Sequence, residues 1–230
     1  MNWLAHSATW LLCIIGFPAL AAPPAGIQAT YDIYKDSLLI GRIDESYTRD
    51  QDRYTLTSTT TPLGLLAVFK PEKIVMHSNG LVDRHGLRPQ LFTHRREASE
   101  SSAEFNWQTM KLTLSQPPNE FPLQAGTQDR LSAMYQFMFL PLGNVQNVDF
   151  AMTNGRKLDS YHYAITRGEP LQTPAGKFDT LYLDSQAKPG ESRTEIWLSV
   201  QQHYLPCKMI ITDADGEHLT QILSKLIIQP

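Results

Sequence analysis

The sequence has few cysteines and few charged residues for its length. Of 230 residues, 2 are cysteine and 19% are charged, against about 25% in ordinary soluble domains. The 20 Lys and Arg and the 23 Asp and Glu leave a net charge of -3, and the densest basic pair, Arg95 and Arg96, is followed at once by Glu97. A protein that binds nucleic acid needs clustered basic residues, so the sequence predicts no basic patch and no nucleic-acid partner.

The first 21 residues contain no Asp, Glu, Lys or Arg, and they include an apolar run at residues 10–17. This run is too short to span a bilayer, Pro18 ends it, and Ala19-Leu20-Ala21 forms a cleavage site of the A-x-A type. A positively charged start is missing. We predict a signal peptide at residues 1–21 and one β-rich periplasmic domain at residues 22–230. A buried helix or a membrane anchor is the alternative.

The two cysteines are Cys13, inside the predicted signal peptide, and Cys207. Leu12 stands before Cys13 where a lipoprotein signal has a small residue, so no lipid anchor is predicted. Cleavage leaves Cys207 alone, which excludes an internal disulfide. Cys207 lies in an alternating segment, and a nucleophilic thiol would need a basic neighbour. We therefore interpret Cys207 as a buried structural residue.

The dominant pattern after residue 22 is alternation of apolar and polar residues, which is typical of antiparallel strands. So many strands in one sheet are expected to curl or close, and one-sided alternation indicates that one face is covered. We predict an all-β fold, a strongly curved antiparallel sheet or incomplete β-barrel of ten or more strands. The predicted strands are residues 27–35, 38–48, 53–61, 72–78, 90–97, 103–108, 110–115, 148–152, 160–167, 178–185, 194–200, 207–213 and 218–228.

Two segments depart from this alternation. Residues 61–71 are apolar and irregular, and they fit either a helical turn or a covering loop. Residues 129–140 have helical spacing, with Asp129 placed as a cap and Pro141 as a stop. This main helix is apolar nearly all round, so we expect it in the concave side of the sheet. Four of its side chains are candidate ligand contacts: Leu131, Met134, Tyr135 and Met138.

Other candidate ligand contacts are Trp107 and Trp197, which lie in alternating segments and fit core positions as well. Asp129 and Arg130 are candidates for a polar edge of the same site, with a cap and a structural ion pair as the alternative. If the core contains an open cavity, Trp107 and Trp197 can be core residues and ligand contacts at the same time.

Motifs for catalysis and metal binding are missing from the sequence. The histidines after residue 22 are isolated, and there is no H-E-x-x-H, G-x-S-x-G, P-loop or G-x-G-x-x-G. Ser132 follows Asp129 and Arg130, but no base is adjacent. The sequence therefore predicts no catalytic residue, metal or cofactor and leaves catalysis open, with a non-catalytic role favoured.

Several short motifs in order resemble the Gram-negative periplasmic family known as domain of unknown function 3108. They include Tyr31-Asp32-Ile33-Tyr34, Pro62-Leu63-Gly64, Ser78-Asn79-Gly80, Gly86-Leu87-Arg88-Pro89, Phe105-Asn106-Trp107, Asp129-Arg130-Leu131-Ser132, Thr173-Pro174-Ala175-Gly176 and Glu195-Ile196-Trp197-Leu198. The resemblance implies an exported protein but supplies no activity, substrate or catalytic residue.

The C-terminal hairpin alone, with Trp197-Leu198, Tyr204-Leu205-Pro206 and Asp215-Gly216, is similar to hairpins in half-open β-barrel lipoprotein carriers and related envelope sensors. That similarity implies a curved sheet that holds acyl chains against an apolar lid. We therefore expect a non-catalytic protein, soluble after signal cleavage, that binds an apolar or amphipathic small molecule, a lipid or a segment of an envelope protein in its concave face. The alternatives are a hydrolase-like enzyme and an envelope assembly factor that binds through an edge strand.

Overall fold

The computed structural model describes residues 23–69, 71–97 and 99–229. The predicted signal peptide at residues 1–21 lies outside the described residues. Within them most residues lie in β-strands, as predicted. The strands are β1 (Gly26–Lys35), β2 (Leu38–Asp50), β3 (Arg53–Pro62), β4 (Ile74–Asp83), β5 (Gly86–Arg96), β6 (Ser99–Asn106), β7 (Lys111–Ser115), β8 (Pro118–Pro122), β9 (Gln128–Asp129), β10 (Asn147–Thr153), β11 (Leu158–Arg167), β12 (Leu171–Thr173), β13 (Gly176–Phe178), β14 (Thr180–Asp184), β15 (Arg193–Ser199), β16 (Leu205–Thr212) and β17 (His218–Gln229).

Fifteen of these strands form one sheet in the order β8-β7-β6-β5-β4-β3-β2-β1-β17-β16-β15-β14-β11-β10-β9. Neighbouring strands are antiparallel, except that β9 runs parallel to β10. The first and last strands of the domain, β1 and β17, pair in the middle of the sheet. β8 and β9 form its two edges, so hydrogen bonds do not close it into a barrel.

Alternating burial explains why these segments form strands. In β3, Tyr54, Leu56 and Ser58 are buried, while the residues between them are more exposed. Because successive side chains of a strand point to opposite faces, this pattern places one face against the core. Bulges, such as the one between Asn79 and Gly80, bend the strands further.

Each predicted strand overlaps an observed one, but four observed strands were not predicted. β8 contains two prolines, β9 has two residues, and β12 and β13 have three residues each. Prolines and very short segments remove the alternation on which the prediction depends.

The α-helices are α1 (Gly64–Phe69) and α2 (Ser132–Gln136), and the chain continues after α2 as a 3₁₀-helix at Phe137–Phe139. The main helix predicted at residues 129–140 is therefore shorter than expected. Asp129 belongs to β9, and its Oδ1 accepts the N–H groups of Leu131 and Ser132. At the other end, Leu140 is extended because a residue before proline avoids the helical region.

The contacts of α2 show that the sheet is curved, since α2 touches both β5 and β16. These strands are six steps apart in the sheet, about 29 Å if the sheet were flat, and a helix of ordinary width could not reach both. Unlike α2, α1 has no buried side chain. It lies in the irregular apolar segment 61–71. Leu65, Val68 and Phe69 are each at least 70% exposed.

Candidate functional site

The predicted ligand face of α2 lies largely in the core. Leu131, Tyr135 and Met138 are buried, and Met134 is partly buried against two clusters of core side chains. The Tyr135 ring stacks on Tyr47 with 5.6 Å between ring centroids. The structure thus brings these four residues into packed surroundings.

Two glutamines fix the β4–β5 turn against α2. Gln136 Oε1 accepts the Leu87 N–H at 2.7 Å, and Gln136 Nε2 donates to His85 O at 2.7 Å. Gln128 Nε2 donates to Leu87 O at 2.8 Å. A Cβ at Gly86 would lie 2.4 Å from Gln136 Oε1, and Gly86 has a φ of +106°, so only glycine fits this close approach.

Asp129 lies inside the protein in a closed hydrogen-bond network. Its carboxylate accepts the Ser78 hydroxyl at 2.5 Å and the N–H groups of Leu131 and Ser132, and Ser78 is hydrogen bonded to Tyr54. Burial raises the pKa of Asp129 to about 6, against the opposing effect of these hydrogen bonds. Asp129 is 0% exposed, so it does not form the edge of an accessible site.

Glu45 of β2 is a second carboxyl with a shifted pKa, and it is partly buried. Its Oε1 accepts the Ser58 hydroxyl at 3.2 Å and its Oε2 accepts the Tyr135 hydroxyl at 3.0 Å. Burial raises the pKa of Glu45 to about 7, while Tyr135, Ser58 and the charge of Arg130 act in the opposite direction. Glu45 and Tyr135 thus join β2 to α2 through a partly buried polar contact.

The hydrogen-bond network around Asp129 contains serine hydroxyls but, among the described residues, no histidine. None of the described histidines hydrogen bonds to Asp129, Ser78 or Ser132, and these three side chains are 0% exposed. Within the described ranges, no group of three or more His, Cys, Asp or Glu side chains is placed to hold a metal ion.

A cleft of about 530 Å³ opens beside Trp107, near the ends of β4 and β6 and the first half of β5. We call it the Trp107 cleft. It is lined by Leu81, Arg88, Gln90, Leu91, Glu104, Phe105, Asn106, Trp107 and Gln108. The apolar and aromatic side chains share the wall with donors and acceptors, so the surface suits a molecule with both an apolar and a polar part.

The indole of Trp107 is held in a fixed orientation. Its Nε1 donates to Pro89 O at 2.5 Å, and its ring stacks on Phe105 with 6.2 Å between centroids. The Arg88 guanidinium lies 5.1 Å from the centroid of the Trp107 ring, within the range of a cation–π contact. Trp107 is partly exposed and lines the cleft.

Trp197 is placed elsewhere and does not line the Trp107 cleft. Its ring lies 5.0 Å from that of Tyr182, and Lys208 Nζ lies 4.6 Å from its centroid. The backbone O of Trp197 accepts the thiol of Cys207 at 3.2 Å. Cys207 is 0% exposed and burial raises its pKa to about 12, which agrees with the prediction of a buried structural thiol.

A smaller basic pocket contradicts the expectation that the chain has no basic patch. We call it the arginine pocket, and it is lined by His94, Arg96, Ser99, Arg130, Asn154 and Arg156. Arg130 is exposed here while its neighbour Asp129 is buried, so the predicted pair separates. Sequence reasoning missed the pocket because its arginines are at least 26 residues apart along the chain and only the fold brings them together.

The described residues form a β-barrel-like fold with an open sheet. The crystal structure of a β-barrel-like protein of the domain of unknown function DUF1849 from Brucella abortus is similar to it, with a TM-score of 0.57, 15% identity and coverage of 89% of this chain and 98% of that chain. This likeness concerns the fold alone. A structure described as a "putative lipoprotein" from Parabacteroides distasonis aligns with a TM-score of 0.35, 11% identity and coverage of 89% and 97%.

The particular family follows from the sequence. The family described as "Protein of unknown function (DUF3108)" matches residues 30–224, so the chain belongs to this family and the predicted resemblance is confirmed. A comparison with curated proteins found no match. In the part of the chain that the structure describes, no helix has the length and hydrophobicity to span a bilayer.

Proposed function

We propose that this chain is a non-catalytic periplasmic protein that binds an amphipathic ligand in the Trp107 cleft. The ligand class is a molecule with an apolar chain and a polar or anionic head. The observation that carries the proposal is the cleft itself, about 530 Å³ in volume and walled by both apolar and polar side chains. Ligand sites in proteins usually occupy about 300 to 1,000 Å³ and have such mixed walls.

The chemistry of the wall supports this ligand class. Leu81 and Leu91 are partly exposed and offer apolar surface, and Trp107 offers an aromatic ring. Arg88 contributes a guanidinium with several donors, which favours a carboxylate or phosphate head. A ligand could lay its apolar chain against the leucines and Trp107 and place its anionic head near Arg88.

The rigidity of the cleft also supports binding. The N–H of Trp107 already has a partner in Pro89, so its ring is oriented before any ligand arrives. A preorganised aromatic side chain loses little conformational entropy on binding. Gln136 of α2 and Gln128 of β9 both hydrogen bond to the backbone of Leu87, the neighbour of Arg88, so α2 and β9 support this wall.

We place α2 on the concave side of the curved sheet, where its contacts with β5 and β16 support this position. Direct contact of a ligand with Leu131, Met134, Tyr135 and Met138 stays a prediction. Of these four, Met134 has the most accessible side chain. A ligand contact at Trp197, predicted from the sequence, is the alternative to this proposal, because Trp197 lies outside the Trp107 cleft.

The edge strands give less support to an assembly factor that adds a partner strand. β8, at one edge, has five residues and two prolines, and β9, at the other, has two residues. Short edge strands with proline discourage pairing with another chain. We therefore favour a ligand in the cleft over a partner strand.

The test uses protein recovered from the periplasm, with an intact mass expected to show a chain that begins at Ala22 and lacks lipid. A dansyl-labelled fatty acid should bind saturably. Trp107→Ala should weaken its affinity about tenfold or more, as for an aromatic residue central to a binding site. Trp197→Ala is the matched control, since Trp197 is also partly buried beneath a cation, and it should leave the affinity unchanged.

Circular dichroism of both variants establishes that each is folded. Saturable binding to the wild type, lost in folded Trp107→Ala and kept in Trp197→Ala, supports the proposal. No saturable binding to the wild type, or an equal loss in both folded variants, refutes it.

A further inference from the structure

The arginine pocket is assembled from three distant parts of the chain. β5 and β6 supply His94, Arg96 and Ser99, the segment before α2 supplies Arg130, and the β10–β11 turn supplies Asn154 and Arg156. The pocket has a volume of about 180 Å³. This is the space of about six water molecules, enough for one small polar group.

Backbone and side-chain hydrogen bonds fix the frame from which the arginines extend. The Arg130 N–H donates to Thr153 O at 2.9 Å. Asn154 Oδ1 accepts the N–H groups of Arg156 and Lys157 at 3.0 and 3.1 Å, which shapes the turn. Thr153 and Asn154 are adjacent, so Arg130 and Arg156 are held on neighbouring backbone.

The charges of this pocket are incompletely balanced. Arg96 forms an ion pair with Glu72, with 2.7 Å between Nε and Oε2. For Arg130 and Arg156, no carboxylate in residues 23–69, 71–97 or 99–229 lies within ion-pair distance. The whole chain carries a net charge of -3, so this cluster does not follow from a basic composition.

His94 lines the same pocket as Arg96, Arg130 and Arg156. Its pKa is held below the usual value by burial and by the charges of Arg130, Arg156 and Arg96. Ser101 stands opposite His94 in the β5–β6 register. Ser101 is 1% exposed and its Oγ has no hydrogen-bond partner among the described residues, so an unused hydroxyl lies beside His94.

We propose that the arginine pocket binds the phosphoryl group of an anionic ligand. Guanidinium groups are donors only, so they select an anion, and their forked geometry matches phosphate oxygens. A tetrahedral phosphoryl group directs oxygens to several sides, and the donors of this pocket come from three chain segments. A planar carboxylate would engage fewer of them. This inference is independent of the Trp107 cleft and extends beyond the proposed function.

The test is isothermal titration of the full exported protein with two probes, inorganic phosphate and a short-chain phosphatidic acid below its critical micelle concentration. At least one should bind saturably. Arg130→Gln and Arg156→Gln should each weaken that binding about tenfold, because each removes charged hydrogen bonds. Arg53→Gln, at an exposed arginine outside the pocket, is the matched control and should have no effect.

Equal affinities for the two probes identify free phosphate or a small phosphomonoester as the source, and a much higher affinity for phosphatidic acid identifies a lipid head. No saturable binding of either probe, unchanged affinity in both pocket variants, or an equal loss in Arg53→Gln overturns the proposal. Nuclear magnetic resonance gives an independent check in the wild type. The bound probe should shift the imidazole signals of His94 and leave those of exposed His218 unchanged.

Discussion

The interior around α2 and the Trp107 cleft contain similar side chains, yet only one of them is open. In the interior, Tyr135 is buried on Tyr47 and its hydroxyl donates to Glu45. In the cleft, Trp107 has a partner for its N–H but still faces a space of about 530 Å³. An aromatic side chain beside polar groups is therefore a candidate ligand contact at the open cleft, as Trp107 is, and a core residue at the packed contact between β2 and α2, as Tyr135 is.

The largest expected effect that separates the two regions is on stability. Tyr135→Ala removes a fully buried, stacked ring and the partner of Glu45, so it should lower the free energy of unfolding by about 3 to 5 kcal/mol. Tyr135→Phe keeps the ring and should cost about 1 to 3 kcal/mol through the lost hydrogen bond. Urea denaturation measures both. A loss below 1 kcal/mol for Tyr135→Ala would show that this region is loosely packed.

The second expected effect is a pH dependence of the unfolding free energy that comes from Glu45. The pKa of Glu45 is raised from 4.5 to about 7, so the folded chain keeps a proton that the unfolded chain releases. This carboxyl therefore stabilises the fold fully below pH 4.5, and the contribution is lost as the pH rises towards 7. The loss should be about 3 kcal/mol.

Glu45→Gln isolates this contribution. The difference in unfolding free energy between the wild type and this variant should change by about 3 kcal/mol between pH 4.5 and about pH 7. Asp129 acts in the same direction, but it is present in both proteins and cancels. Glu100→Gln, at an exposed carboxylate, is the control and should show no such change. A difference that stays constant with pH would mean that Glu45 is well solvated.

The smallest expected effect concerns Cys207. Its thiol donates to Trp197 O and is fully buried, so Cys207→Ser should cost about 1 kcal/mol, since the hydroxyl can donate to the same oxygen. Ligand binding in the Trp107 cleft should be unchanged. A folded Cys207→Ser protein that has lost binding would assign the thiol a functional role.

The sequence alone predicts the strands because most of them have one buried face. Tyr54 and Leu56 in β3 alternate with exposed residues, and such a pattern is readable without a structure. β9 is different, since Gln128 and Asp129 become a strand only through pairing with Met152 and Thr153. Long-range pairing of this kind leaves no local signal.

The candidate sites are predictable to a smaller degree. Trp107 was a candidate from its residue type, but its cleft depends on Leu81 and Leu91, which come from two other strands. The arginine pocket was not predicted at all, since Arg96, Arg130 and Arg156 meet only after the sheet has curved. Sequence spacing indicates which face of an element is buried, and it does not indicate which distant elements meet.

The most direct test of the central claim uses tryptophan fluorescence. Trp3 and Trp10 lie in the predicted signal peptide, so the chain expected after cleavage has two tryptophans, Trp107 and Trp197. Trp197→Phe leaves Trp107 as the reporter of the cleft, and Trp107→Phe leaves Trp197. Titration with a brominated fatty acid, whose bromine quenches an indole on contact, should quench Trp107 saturably and leave Trp197 unchanged. Equal quenching of both, or none of Trp107, would contradict a ligand site at the cleft.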